Sequence, residues 1–399
     1  LVRITSMPLF SRAGGIGGDA MMARLEEICA INMGQSPDSS TYNEDGNGLP
    51  FFQGNADFGE IYPVVRMWCS EPTKIAREKD ILISVRAPIG ALNIANCECC
   101  IGRGLAALTV NEDICAQEYL WHTLSGKVDE LNSKGTGSTF KAINKKTLSE
   151  TEIPLPPIDE QRKIAAILDK VSDLIAKRQQ QLDKLDEMIK ARFMEIFGDS
   201  ETNTKNWRVL PMSKICSVGS SKRIYQSEQS SSGVPFWRIS DLTSLITTGT
   251  VTPELYIPEE RYKEIKTQGQ VPAPGDILIT SRGTLGQCYI VKVNDRFYFQ
   301  DGMISWLSGY MDGVTPLYIS YLFTMPGFRK QIDSMQAGST VAYLSITMIK
   351  KLKVMLPDIE SQQQFASFVS KTEKTKTTIS RSLEKLETLK KALMQEYFG

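Results

Sequence analysis

The chain has 399 residues, enough for two or three domains of ordinary size. Its 46 basic and 46 acidic residues cancel to a formal charge of zero, which argues against a self-sufficient DNA clamp, since such binders are as a rule basic. A hydrophobic content of 41% can build real cores, yet the longest apolar runs fall far short of a membrane span and no signal peptide is evident, so a cytoplasmic protein with no membrane partner is expected.

Residues 1 to 21 contain GGIGG and no apolar periodicity, and read as a flexible extension or tag. Short strands and loops follow from 22 to 157. They include Gly34-Gln-Ser-Pro-Asp-Ser-Ser-Thr-Tyr42, Gly48-Leu-Pro-Phe-Phe52, DILISVRAPIG over 80–90 and GRGLAAL over 102–108. A helix is predicted over Glu118–Leu131, ahead of Lys134-Gly-Thr-Gly-Ser-Thr139. Residues 158 to 198 then read as one long helix. It opens after Pro156-Pro157 with acids in its first turn and closes on Phe197-Gly198.

The whole arrangement recurs. After an Asn-, Thr- and Lys-rich linker at 199–206, Gly233-Val-Pro-Phe-Trp237 matches the Gly48 stretch, and DILITSRGTLG over 276–286 places Arg282 on Arg86. Gln300-Asp-Gly-Met303 stands where Gly102-Arg-Gly-Leu105 stood, and a helix is predicted over Tyr318–Met335. The second long helix aligns with the first without a gap at an offset of 201 residues, with Gln362 on Gln161 and Gly399 on Gly198. In the first copy Ile164, Leu168, Val171, Ile175, Leu182, Leu185, Ile189 and Ile196 recur at three and four, interrupted by Arg178 and Arg192. In the second copy Phe365, Val369, Ile379, Leu383, Leu386 and Leu393 flank a polar patch from Lys371 to Thr378. So narrow a seam asks for one long partner, and the simplest partner is the other copy; packing of each helix on its own globular unit is the alternative.

The expected fold class is therefore α+β: a tandem repeat of two globular α/β units (22–157 and 207–356), each followed by a long helix (158–198 and 357–399), the two helices forming an antiparallel coiled coil.

No reaction chemistry recurs with the repeat. The one Pro-Pro pair starts a helix instead of closing an amino-methyltransferase loop, and no phosphate-binding loop is present. The eight cysteines do not follow the repeat, Cys97-Glu-Cys99-Cys100 lacks a second pair at zinc-ligand spacing, and the sole histidine, His122, lies in a helical segment suited to packing; reduced thiols and no metal are expected. Asp241, Glu264 and Lys266 can be forced onto a metal-nuclease pattern, but only in the second half.

What recurs is basic and hydrogen-bonding residues beside glycine. Arginine at a loop tip can read a guanine edge or hold a phosphate, so Arg86 and Arg282 are candidates, with carbonyl bonding in their own turns as the alternative. Residues that discriminate belong where the halves differ: Gln35, Ser36, Tyr42, Gln53, Asn55 and Arg103 in the first unit, and Lys222, Arg223, Tyr225, Arg238, Gln300 and Asp301 in the second. Lys134, Ser138, Thr139 and Lys141, with Ser339 and Thr340, are candidates for phosphate contact or for capping turns.

GQSPDSSTY, DILISVRAPIG, GRGLAAL, GSTFKAINKKTLSETEIPLPPIDEQRKIAAILD and the terminal Phe-Gly helices, repeated in tandem over roughly residues 22 to 399, resemble the specificity subunits of type I restriction-modification enzymes. The second helix departs mildly, with Ser-Gln-Gln-Gln where the first has Glu-Gln-Arg-Lys. The resemblance implies a non-catalytic subunit whose globular units are target recognition domains, each reading one half of a split site on double-stranded DNA. It implies that the helices set the spacer and dock two modification subunits holding S-adenosylmethionine. Restriction subunits holding ATP and magnesium would join that core, leaving no cofactor in this chain. From the residues alone, a non-catalytic protein-binding adaptor with a coiled-coil spacer remains the alternative.

Overall fold

The structure, a computed structural model, describes residues 21–137, 141–336 and 342–399. The expected extension at 1–21 lies, apart from Met21, outside the described residues. The chain forms two compact units: one contains residues up to Gln179 together with Ser380–Gly399, the other Gln180–Ile379. The boundary cuts both long helices, so each helix contributes residues to each unit.

In the first unit the chain order is β1 (Met22–Arg24), α1 (Leu25–Ile28), β2 (Cys29–Met33), β3 (Tyr42–Asn43), β4 (Leu49–Phe52), β5 (Trp68–Cys69), β6 (Ile75–Ala76), β7 (Ile81–Ser84), β8 (Leu92–Ile94), β9 (Cys99–Ile101) and β10 (Leu105–Val110). Then come α2 (Gln117–Gly126), α3 (Val128–Ser133), α4 (Lys145–Ser149), β11 (Glu152–Pro154) and the 40-residue α5 (Ile158–Phe197). A four-stranded sheet has the order β2-β10-β7-β8 and a second sheet β3-β5-β4-β9-β6. Strand β7 is Ile81-Leu-Ile-Ser84, buried at every position. Alternation explains why both of its faces are apolar: Ile81 and Ile83 enter the core shared with the helices, while Leu82 enters a separate core with Phe52 and Ile101.

The second unit repeats this plan with β12 (Arg208–Pro211), β13 (Ser217–Gly219), β14 (Val234–Trp237), α6 (Ile239–Thr248), β15 (Tyr256–Ile257), α7 (Glu259–Thr267), β16 (Ile277–Thr280), β17 (Cys288–Ile290), β18 (Tyr298–Phe299) and β19 (Ile304–Ser308). It continues through α8 (Pro316–Leu322), α9 (Pro326–Ser334), α10 (Ile346–Lys351) and β20 (Lys353–Leu356) to the 40-residue α11 (Ile359–Phe398). The sheet β13-β19-β16-β17 has the order of its counterpart, and β14 runs parallel to β18 as β4 does to β9.

The scaffold therefore repeats, while the segment leading to β7 or β16 does not. Between β4 and β7 the first unit has loops and two-residue strands, whereas the second has α6 and α7 between β14 and β16. Neither helix was expected. The turn from β18 to β19 is one residue longer than that from β9 to β10, and Leu105 pairs with Ser84 as Ile304 pairs with Thr280, so Ile304 and not Met303 is the counterpart of Leu105. The helices expected over 118–131 and 318–335 are each two helices, parted at Lys127 and, in the second unit, by Pro326 at a new helix start.

The long helices pack antiparallel within each unit. In the first, Ile164 and Leu168 near the start of α5 share a core with Leu393, Tyr397 and Phe398 near the end of α11. In the second, Ile189, Phe193 and Phe197 share a core with Phe365 and Val369. These are also the cores of the globular parts, so the alternative of packing on a globular unit holds as well at the helix ends. The buried face near the end of α5 runs through positions 189, 193 and 197, not 189, 192 and 196, as a broad four-residue ridge does against a globular core. Arg192 instead lays its guanidinium 5.9 Å from the centre of the Phe368 ring. The polar patch of α11 is accommodated locally: Thr372, Thr375, Thr377 and Thr378 donate to carbonyls four residues back, and Lys376 Nζ reaches Asp186 of α5 at 2.6 Å. Gly198 ends α5 at φ 77°, the left-handed conformation of a helix cap, and a Cβ there would lie 2.7 Å from Thr204 Oγ1.

One aligned pair has a repeated structural task. Buried Gln161 accepts from Ala116 N–H (2.9 Å) and donates to the carbonyls of Ile114 (3.1 Å) and Pro156 (2.7 Å). Gln362 accepts from Thr315 N–H (2.9 Å) and donates to Gly313 (2.8 Å) and Pro357 (2.9 Å). Each amide ties the start of a long helix to the loop entering α2 or α8. Gln161→Leu strands two buried backbone groups, Ala116 N–H and Pro156 O, and the part-buried carbonyl of Ile114, and should lower stability by on the order of 2–4 kcal/mol, read as a shift of the urea midpoint at unchanged slope.

Candidate nucleic-acid interface

In the first unit four candidate residues come together. Gln53, Asn55, Arg86 and Arg103 line a recess of about 410 Å³ with Arg66, Ser84, and Phe51 and Met67 in its wall. Three connections build it: the loop after β4, the end of β7 and the β9–β10 turn. Gly104 N–H donates to Gln53 O at 3.1 Å, and a Cβ on Gly104 would sit 2.4 Å from that oxygen, so glycine is required for the Arg103 turn to lie against the β4 loop. Asp57 accepts the N–H of Gln53 at 2.7 Å and holds the same loop from the other side.

Arg86 has a fixed backbone and an exposed side chain. Ser84 Oγ donates to its carbonyl at 2.7 Å, Ala87 N–H donates to Lys141 O at 3.0 Å, and Arg86 bridges to Ala142. The backbone of Arg282 is placed alike by a bridge to Tyr343, but its guanidinium lies over the Tyr343 ring at 5.3 Å. Among the described residues neither side chain bonds a carbonyl of its own turn.

The other first-unit candidates flank the recess or are otherwise engaged. Ser36 Oγ accepts Arg103 N–H at 3.3 Å, and Gln35 O accepts from Thr73 Oγ1 at 2.8 Å. Tyr42 is half-buried, stacked on Phe51 at 4.7 Å, with its hydroxyl donated to Pro37 O at 2.9 Å. Lys134 pairs with Glu130 at 2.6 Å, and Lys141 is exposed. Ser138, Thr139, Ser339 and Thr340 lie outside the described residues.

The second unit has a different electrostatic character at the matching places. Arg223 Nε donates to Asp301 Oδ2 at 2.9 Å, and that hydrogen bond holds the guanidinium still more firmly protonated. Arg238 follows β14 as Gln53 follows β4, and it donates to Glu254 at 2.8 Å while also touching Asp241. Lys222 is exposed and donates its N–H to the Tyr298 hydroxyl at 2.8 Å, Gln300 N–H donates to Trp237 O at 2.9 Å, and Tyr225 is 62% exposed.

The nuclease pattern does not assemble. Asp241 accepts Arg238 N–H at 2.8 Å as the cap of α6, and Glu264 pairs with Arg261. No group of three or more metal-ligating side chains occurs among the described residues. The cysteines are free, and burial pushes the Cys99 thiol up to about 12. His122 is buried with Nε2 2.7 Å from Asp169 Oδ1; burial favours the neutral ring more than the carboxylate favours the charged one, so its pKa is lowered. No helix among the described residues is long and apolar enough to cross a membrane.

Sequence reasoning missed Arg66 and Glu254, and it took Asp301 as a reader where the structure pairs it with Arg223. Arg66 sits in a loop without periodicity, and nothing local marks it as a neighbour of β7.

A globular α/β scaffold that occurs twice, each time followed by a 40-residue helix, defines a class of tandem-repeat proteins. The model of the family described as type I restriction modification DNA specificity domain matches residues 18–187 and 204–388, and the chain belongs to that family, carrying its domain twice. This is a family of specificity modules, not of catalytic ones. Among its relatives, the "Putative type I restriction enzyme MjaX specificity subunit" of Methanocaldococcus jannaschii is 43% identical over 49% of this chain, and the chain spans about half of that relative (46%). The type I restriction enzyme MjaIX specificity subunit of the same organism is 24% identical over 89% of this chain and 87% of the relative. The fold is that of the type I restriction-modification S subunit from M. genitalium, with a TM-score of 0.58, 14% identity, and coverage of 95% and 96% of the two chains.

Proposed function

We propose that the chain is the DNA specificity subunit of a type I restriction-modification complex and that each globular unit reads one half of a bipartite site. The observation that supports this most is the repeated scaffold with unlike connections at matching places: guanidinium-rich around Arg86 and Arg103, and acid-paired around Arg223 and Arg238. Equal frames with unequal polar rims suit two readers of two different sequences.

The long helices act as the spacer. At about 1.5 Å per residue, 40 residues extend about 60 Å, enough to separate two major-groove readings roughly 34–36 Å apart. The tandem repeat suits an arrangement in which the two readers approach the duplex in opposite orientations. Two modification subunits dock on the helices and supply S-adenosylmethionine, while restriction subunits supply ATP-dependent cleavage. Methylation needs a base turned out of the stack, so the methyltransferase must be delivered beside the sequence being read. A net charge of zero fits a base reader whose phosphate grip comes largely from its partners.

Sequence-specific retention of duplex DNA by the chain with its methyltransferase partner tests this reading against a protein-binding adaptor, which would retain no particular sequence. Replacing residues 219–232 with a different loop should change one half-site and leave the other as it was. A change in both would contradict separate readers.

A further inference from the structure

The two units differ in one respect that bears on what each reads. In the second, four arginines at the connections are neutralised, Arg223 by Asp301, Arg238 by Asp241 and Glu254, Arg261 by Glu228 and Glu264, and Arg296 by Glu259, while Arg282 lies over the Tyr343 ring. In the first, Arg66, Arg86 and Arg103 line one recess, all exposed, and none forms an ion pair or side-chain hydrogen bond among the described residues. The only carboxylate in that lining is Asp57, and its Oδ2 is engaged by the Gln53 and Gly54 N–H groups. Three guanidiniums set against a single carboxylate leave the recess with an excess of positive charge and of unused donors, which suits an acceptor-rich group.

We propose that this recess, with Arg66 as a specificity-determining residue, reads guanine in the half-site of the first unit. The proposal rests on the DNA-reading function above and deepens it. Guanine alone presents two acceptors, O6 and N7, on its major-groove edge, and the planar fork of arginine matches that pair. A phosphate would satisfy the same donors. The recess, however, also presents the amides of Gln53 and Asn55 and has Phe51 and Met67 in its wall, which is the mixed amide and apolar chemistry of base edges. Of the second-unit arginines named above only Arg282 lacks a carboxylate partner among the described residues, and its guanidinium lies over the Tyr343 ring, so that unit gathers no comparable cluster of forks and its half-site does not depend on guanine in this way.

The test selects bound duplexes from a randomised pool with the full-length chain assembled with its methyltransferase subunit, for the wild type and for Arg66→Ala. The wild type should require guanine at one or more positions of a single half-site. Arg66→Ala should relax one of those positions and leave the other half-site intact. Substituting 7-deazaguanine there, which removes N7, should weaken wild-type binding by about 5- to 150-fold and weaken Arg66→Ala binding little further. Arg66→Lys, which keeps the charge without the fork, should also lose discrimination.

Uniform weakening on all sequences, with the salt slope reduced by about one, would mean that Arg66 holds a phosphate and would overturn the guanine assignment. A sequence-specific complex indifferent to Arg66 would overturn it as well, while leaving bipartite reading in place. Absence of any selected sequence would instead refute the DNA-reading function itself.

Discussion

Phe193→Ala is expected to destabilise the second unit by about 3–5 kcal/mol, the range for emptying a fully buried aromatic site. The Phe193 ring lies 4.7 Å from Phe197, 5.7 Å from Tyr318 and 5.4 Å from Phe365, and all four residues are essentially inaccessible to solvent. These rings join the end of α5, the start of α11 and α8 in one core, and Tyr318 is fixed there by its hydroxyl bond to Met355 O at 2.9 Å. Ring-edge contacts add to the area term, and no small neighbour can move in to fill the space. Denaturant unfolding of the full chain followed by Trp fluorescence measures the loss, and Phe193→Leu should lose less. A change below about 1 kcal/mol for the alanine variant would mean that the end of α5 is not part of this core.

The largest functional effect is expected from inserting four residues near Gln180, where α5 passes from one unit to the other. Four residues are close to one helical turn, so the apolar face is nearly kept in phase while the helix gains about 6 Å. At about 3.4 Å per base pair, the unread gap should lengthen by one to two base pairs while both half-sites keep their sequences. Selected or methylated sites reveal the gap directly. Altered half-sites at a constant gap would contradict the spacer role of the helices.

Much of the fold was legible because the repeat is local and periodic. The two long helices, the β7 and β16 strands with their terminal arginines, and the Gln161 and Gln362 positions all follow from alignment of one half on the other. The misreadings fall where the halves diverge. Helices α6 and α7 were hidden because the strand-and-loop pattern of the first half was carried onto a segment without a counterpart. The seam was drawn one residue off near the end of α5, since a two-helix seam and a face against a globular core have different widths; there Phe193 and Phe197 are buried and Arg192 is not.

The recess was partly legible. Gln53, Asn55, Arg86 and Arg103 stood out by their neighbours in sequence, whereas Arg66 reaches the same place only through tertiary closure. Which arginines are free and which are tied to a carboxylate could not be read from spacing: Arg223 and Asp301 are 78 residues apart.

Mapping methylated adenines in the DNA of cells that express this chain with its modification partner tests the central claim most directly. Two short, unlike sequences separated by a gap of constant length and indifferent composition are predicted, with one adenine methylated in each half. A single uninterrupted site, or no methylation that depends on this chain, would contradict it.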